Sequence, residues 1–205
     1  MGALKPIYYF SSKAAADTVD PTDDTTISSV AIDNSLTYTV GRSYAGFFSP
    51  SNVAVDTSGN LFVADSGNNR IRKIVISTGV VSTLAGSGTP GFADGTGAAA
   101  EFTNIAGLAV DASDNIFVAD SGNNCIRRVT PGGVVTTLAG DGGSVGGFVD
   151  SSGILVEFSG PQGIAVDTSG NVFISEYYNN SIRKLSPPTG LTWDSSGAFI
   201  DASGN

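Results

Sequence analysis

The chain has 205 residues, 40% hydrophobic and only 14% charged, with 27 glycines and a formal net charge of −9. That balance excludes a disordered segment, which is charge-dense and poor in β-branched residues, and favours many short strands and tight turns over helices. The acidic balance repels phosphate backbones, so no nucleic-acid partner is expected. No apolar run approaches the roughly 18 residues of a membrane helix, so no membrane partner is expected either.

An internal repeat organises most of the chain. NVAVD (52–56), GLAVD (107–111) and GIAVD (163–167) are each followed by a small turn, TSGN, ASDN or TSGN. Next come LFVAD (61–65), IFVAD (116–120) and VFISE (172–176), then SGNNRIRKI (66–74), SGNNCIRRV (121–129) and YYNNSIRKL (177–185). Asp56 and Asp111 are 55 positions apart, and Asp111 and Asp167 are 56 apart. Each unit resolves into four strands, the fourth being VVSTLAG (80–86), VVTTLAG (134–140) or the weaker GLTWDSSG (190–197). The first two strands are near-continuous apolar runs, which suits strands covered on both faces. A four-stranded sheet covered on both faces and repeated in series is a propeller blade.

In chain order, residues 1–26 read as a degenerate N-terminal segment with a possible first strand. Its apolar run IYYF is too short for the ~7–15-residue core of a signal peptide. IYYFSS (7–12) aligns loosely with LFVADS (61–66). ISSVAIDNSLTYTVG (27–41) aligns with IRKIVISTGVVSTLAG (71–86) with one residue missing, a partial blade. Blades are expected at 46–86, 102–140 and 158–200, and FIDASG (199–204) matches FADGTG (92–97) and FVDSSG (148–153). The expected fold is all-β, a propeller of four-stranded antiparallel blades with about three and three quarter blades present. The ring is then completed by a longer parent chain or by a second copy, or the piece stays an open arc, exposing strand edges and apolar blade faces.

GLAVDASDNIFVADSGNNCIRRVTPGGVVTTLAG resembles an NHL repeat, and the resemblance covers about residues 46–190. It implies a β-propeller, in this family usually of about six blades, many of whose members are interaction platforms. The expected role is therefore non-catalytic binding of a protein or glycan.

The inter-blade loops 87–102 and 141–158 share one face with the turns between the second and third strands. Rigid sheets make such loops good binding elements. Candidate ligand-binding residues there are Asp65, Phe92, Asp94, Asp120, Phe148, Asp150, Glu176, Tyr177 and Tyr178. Acid beside exposed aromatic suits a basic peptide, a sugar or a metal-bridged ligand. Phe92 and Phe148 recur at one repeat position, which equally suits a plug of each loop onto its blade. Tyr177 and Tyr178 replace the Ser-Gly of the other units. Asp56, Asp111 and Asp167 are expected to accept turn N–H groups. Asn69, Asn124 and Asn180 are expected in left-handed turn positions. Arg72, Arg127 and Arg183 are expected to tie blade to blade or to pair with Asp65, Asp120 and Glu176.

The chain has no histidine and one cysteine, Cys125. No Ser-His-Asp or Cys-His unit can be assembled, and a zinc site is not expected. Cys125 sits where the other units have Arg70 and Ser181, as a packing substitution. No cofactor is expected. Calcium stays open through the Asp/Asn-rich turns, although DSGNN lacks the EF-hand spacing. The alternative function is therefore part of a calcium-dependent, lactonase-like propeller enzyme, whose chemistry in that family needs no histidine. Asn179-Asn180-Ser181 forms a glycosylation pattern. Low Lys content and Gly/Ser/Thr richness lean toward an extracellular or periplasmic setting.

Overall fold

A computed structural model describes residues 46–143, 146–151, 155–188, 192–193 and 199–200. The expected segment at 1–26, the partial blade at 27–41 and most of 190–197 lie outside them. No α-helix occurs among the described residues, and the chain is built from antiparallel sheets. Blade I is the meander β1 (Asn52–Val55), β2 (Asn60–Asp65), β3 (Arg70–Val75) and β4 (Val80–Ala85). The next sheet contains β5 (Gly95–Thr96), β6 (Ile105–Val110), β7 (Ile116–Asp120), β8 (Cys125–Val129) and β9 (Val134–Ala139). In it β6 to β9 form blade II, and β5, from the inter-blade loop, adds a short fifth strand along β9. Blade III consists of β10 (Pro161–Val166), β11 (Val172–Glu176) and β12 (Ser181–Leu185). Thr192–Trp193 (β13), within the segment expected as the fourth strand of this blade, instead pairs with Phe199–Ile200 (β14) as a separate two-stranded sheet, so among the described residues blade III has three strands.

The first hairpin of every blade is clasped by its aspartate, as expected. Asp56 accepts the Asn60 backbone N–H on Oδ1 (2.7 Å) and the Asn60 side-chain amide on Oδ2 (2.6 Å). Asp111 does the same with Asn115, and Asp167 with Asn171. The third turn residue has positive φ in each: Gly59 at 79°, Asp114 at 63°, Gly170 at 78°. Glycine takes that conformation without a Cβ penalty, and aspartate is among the side chains that tolerate it.

The apolar runs alternate between two cores, because each blade is a wall between two neighbours. On β7, Ile116 and Val118 point toward blade I, into a cluster with Phe62, Ala64 and Ile71. Phe117 and Ala119 point the other way and pack with Val172 and Ile174 of blade III. Both sets are buried, so period-two polarity is absent although the strand pleats normally. Burying one such side chain contributes about 1.5–3 kcal/mol. The innermost strands β1, β6 and β10 lie side by side. Asn52 Oδ1 accepts the Leu108 N–H at 3.2 Å, and Ser51 Oγ donates to the Ile105 carbonyl at 2.6 Å. Blade III turns its outer face to solvent: Phe173 is 37% and Ile182 71% exposed, whereas their repeat counterparts Phe117 and Ile126 are fully buried.

At Gly107, β6 and β10 lie close together. A Cβ there would run into the Gln162 carbonyl. Gly107→Ala is expected to cost about 1–3 kcal/mol through overpacking, read by urea denaturation; a cost near zero would show that the inner strands are free to move apart. Hydrogen bonds from Asn171 hold the exposed Asp167 carboxyl below its ordinary 3.8. Its stabilising effect is present above the unfolded value and is lost as pH falls through the lower folded value. Carbon-detected NMR titration should place its midpoint below 3.8, and Asn171→Ala should move that midpoint back up.

Candidate functional site

The turn after the second strand carries one arrangement three times over. Asp65, Asp120 and Glu176 end β2, β7 and β11 with 0%, 0% and 2% exposure. Each accepts a backbone N–H from the segment leading into its blade: Phe48, Thr103 and Ser159 donate at 2.8 Å. Each also accepts the side-chain amide of the first asparagine of the turn, Asn68, Asn123 or Asn179, at 2.9, 2.8 and 2.8 Å. An arginine completes the shell: Arg72 at 3.6 Å, Arg127 at 3.0 Å and Arg183 at 3.1 Å. Burial pushes the Asp65 and Asp120 carboxyls up, while the asparagine and backbone donors and the arginines pull the other way.

The arginines reach onward to the loops. Arg127 donates to the carbonyls of Glu101 (3.1 Å) and Ala93 (2.7 Å) and pairs with Asp94 at 2.7 Å. Arg183 repeats this with Glu157, Val149 and Asp150. The Arg127 guanidinium stands 4.9 Å from the Phe92 ring centroid and 5.3 Å from that of Phe102. Arg183 stands at the same distances from Phe148 and Phe158. Each guanidinium is thus gripped by two aromatic faces, an attractive arrangement for a desolvated cation.

This corrects two expectations. Asp65, Asp120 and Glu176 do not present themselves to a ligand, because their oxygens are saturated inside the blade. Arg72, Arg127 and Arg183 pair with these carboxylates, but Arg127 and Arg183 fasten each inter-blade loop to its own blade rather than sheet to sheet. The remaining candidates do reach solvent. Phe92 is 41% and Phe148 58% exposed despite their arginine contacts. The side chains of Asp94 and Asp150 are 50% and 81% exposed. Tyr177 and Tyr178 are 63% and 72% exposed.

Asn69, Asn124 and Asn180 take the left-handed conformation, at φ 52°, 48° and 50°. The sequence reading passed over the preceding asparagines, although their threefold recurrence was visible. Asn179 is one of them. Its amide nitrogen already serves Gly147 O and Glu176 Oε1, both at 2.8 Å, so the glycosylation pattern lies on an engaged side chain. Cys125 is buried, and burial together with the neighbouring Asp120 charge drives its thiol far up, away from thiolate chemistry.

Removing the Arg127 guanidinium should strand a buried carboxylate. Arg127→Met is expected to cost about 3–5 kcal/mol in denaturant unfolding, and adding Asp120→Asn should recover part of that loss. A single-variant cost near zero would show that the contact does not hold the loop.

The sequence pattern of the NHL repeat matches residues 47–74, 102–129 and 158–185. The chain is 31% identical over 154 residues to NHL repeat-containing protein 2 of Bos taurus, covering 69% of this chain and 21% of that protein. It is 39% identical over 80 residues to the chloroplastic protein SUPPRESSOR OF QUENCHING 1 of Arabidopsis thaliana, covering 39% of this chain and 8% of that protein. The chain therefore spans about a fifth or less of these relatives' lengths. The crystal structure of an auxiliary nutrient binding protein from Bacteroides thetaiotaomicron is similar with a TM-score of 0.54 and 25% identity, over 64% of this chain and 36% of that one.

Proposed function

The chain belongs to the NHL repeat family of β-propellers, and from that premise we propose that it is a non-catalytic binding module taking a protein or carbohydrate ligand on its loop face. The observation that carries this reading is the contrast within that face. The carboxylate and arginine groups are spent on holding the loops, while Phe92, Phe148, Tyr177 and Tyr178 remain exposed above them. Exposed aromatics on fixed loops offer contact area at little entropic cost. A similar fold in an auxiliary nutrient binding protein agrees with such a use of the architecture.

The reading extends to how the arc is completed. Phe173 and Ile182 occupy positions whose counterparts bury the following blade. This face suits a further blade, from additional chain or from a second copy. The alternative of a calcium-dependent, lactonase-like enzyme asks for unlike ligands converging from several blades.

The test is to screen the chain against peptide and oligosaccharide panels and map the bound state by amide NMR shifts. Shifts should gather on 87–102, 141–160 and 176–180. Shifts confined to the opposite hairpins at 56–60, 111–115 and 167–171 would overturn the proposed face.

A further inference from the structure

Blade III departs from the repeat at one exposed place. Where blades I and II have Ser66-Gly67 and Ser121-Gly122, it has Tyr177-Tyr178. In the first two blades this position is closed: a Cβ on Gly67 would meet the Phe48 ring and carbonyl, and one on Gly122 would lie 2.6 Å from the Thr103 carbonyl. In blade III the segment beneath, just before β10, offers Ser159 and Gly160, and the Tyr178 ring lies over Gly160. The pair is also pinned. The Tyr177 N–H donates to Gly160 O at 3.0 Å and the Tyr178 N–H to Ser159 O at 3.3 Å. The two rings meet edge to face, centroids 5.1 Å apart and planes at 82°. They are a preorganised aromatic step that still faces water.

The loop that leads into this step carries two exposed acids, Asp141 and Glu157. The Gly160 N–H is held by Asn124 Oδ1 at 2.9 Å, Asn124 donates onward to Gly143 O at 3.1 Å, and the Gly143 N–H is held by Asp141 at 2.8 Å. Asp141 is therefore linked through three hydrogen bonds to the peptide under Tyr178. Glu157 lies two residues before Ser159. Both carboxylates are exposed, and among the described residues neither is in an ion pair. The loops 87–102 and 141–158 contain no lysine or arginine, and Arg127 and Arg183, which hold these loops from below, are buried or nearly so.

We propose that the Tyr177–Tyr178 step, with Asp141 and Glu157 exposed on the loop that leads into it, receives an arginine or lysine side chain of a basic peptide segment. The proposal rests on the loop-face reading and names its ligand class. A guanidinium or ammonium stacks on a tyrosine face and is stabilised further by nearby carboxylates. The acidic field also raises the encounter rate of a cationic segment and disfavours anionic ones. A neutral sugar uses the aromatic faces but gains nothing from the charge, and charge is what distinguishes this corner from a plain aromatic patch.

The experiment uses the whole chain and fluorescence anisotropy of a labelled Arg-Gly hexapeptide, with its citrulline counterpart and a labelled neutral hexasaccharide as comparisons. The arginine peptide is expected to bind, to weaken as salt rises, and to exceed the citrulline peptide by about tenfold or more. Tyr177→Ser with Tyr178→Gly, which restores the turn sequence of the other two blades, should lower that affinity by about tenfold. Asp141→Asn with Glu157→Gln should flatten the salt dependence. Equal binding of the citrulline peptide, or no effect of the tyrosine replacements, overturns the proposal. Salt-insensitive binding of the hexasaccharide that needs the tyrosines overturns the basic-peptide assignment while upholding the loop face. Binding of neither ligand overturns the assignment, and the NMR map of panel ligands then decides the loop face separately.

Discussion

The loop face depends on one buried contact, the carboxylate that ends the second strand of each blade. A lone ionised carboxyl in that position would be costly, because burial disfavours its charge. It persists because a backbone N–H, an asparagine amide and an arginine converge on it. Those three donors come from the segment leading into the blade, the turn itself and the third strand. Satisfying one charge therefore locks three segments. The arginine then extends the lock outward, holding loop carbonyls and standing between two phenylalanine rings.

The second constraint is that each blade is a wall with two inner faces. Ile116 and Val118 on one side and Phe117 and Ala119 on the other leave β7 no polar face. The hydrophobic effect then acts between sheets as well as within them, so neighbours in sequence become neighbours in space. The inner strands come close enough for side-chain-to-backbone and backbone contacts, with Asn52 bonded to Leu108 and Gly107 set against Gln162. On blade III, Phe173 and Ile182, the counterparts of the buried Phe117 and Ile126, stay exposed.

These two constraints divide the labour between rigidity and recognition. The polar groups with the strongest electrostatics are consumed in holding loops, so what reaches solvent is mainly aromatic faces and acids that are partly or wholly uncommitted. A loop face of this kind varies by changing loop residues without disturbing the sheets beneath, and the tyrosine step of blade III is such a change.

The repeat phase, the hairpin aspartates and the left-handed asparagines were legible in the sequence, because each is local: a fixed spacing, a four-residue turn, a single φ. Local backbone chemistry acts on neighbours in the chain, so residue identity at fixed spacing reports it. The fate of Asp65, Asp120 and Glu176 was not legible in the same way. Their place after an apolar strand marks a turn, and only the packing of three segments decides that the carboxyl points inward. The role of the first asparagine recurred in plain view yet stayed ambiguous beside its left-handed neighbour. The positive φ shared by Ser49, Asn104 and Gly160 leaves no common residue type to read. The sequence by itself determined the repeat and its hairpin turns; the tertiary structure alone decided which strand pairs at each sheet edge, which charges are buried and which aromatics face water, because edge pairing and burial depend on contacts between segments distant in the chain.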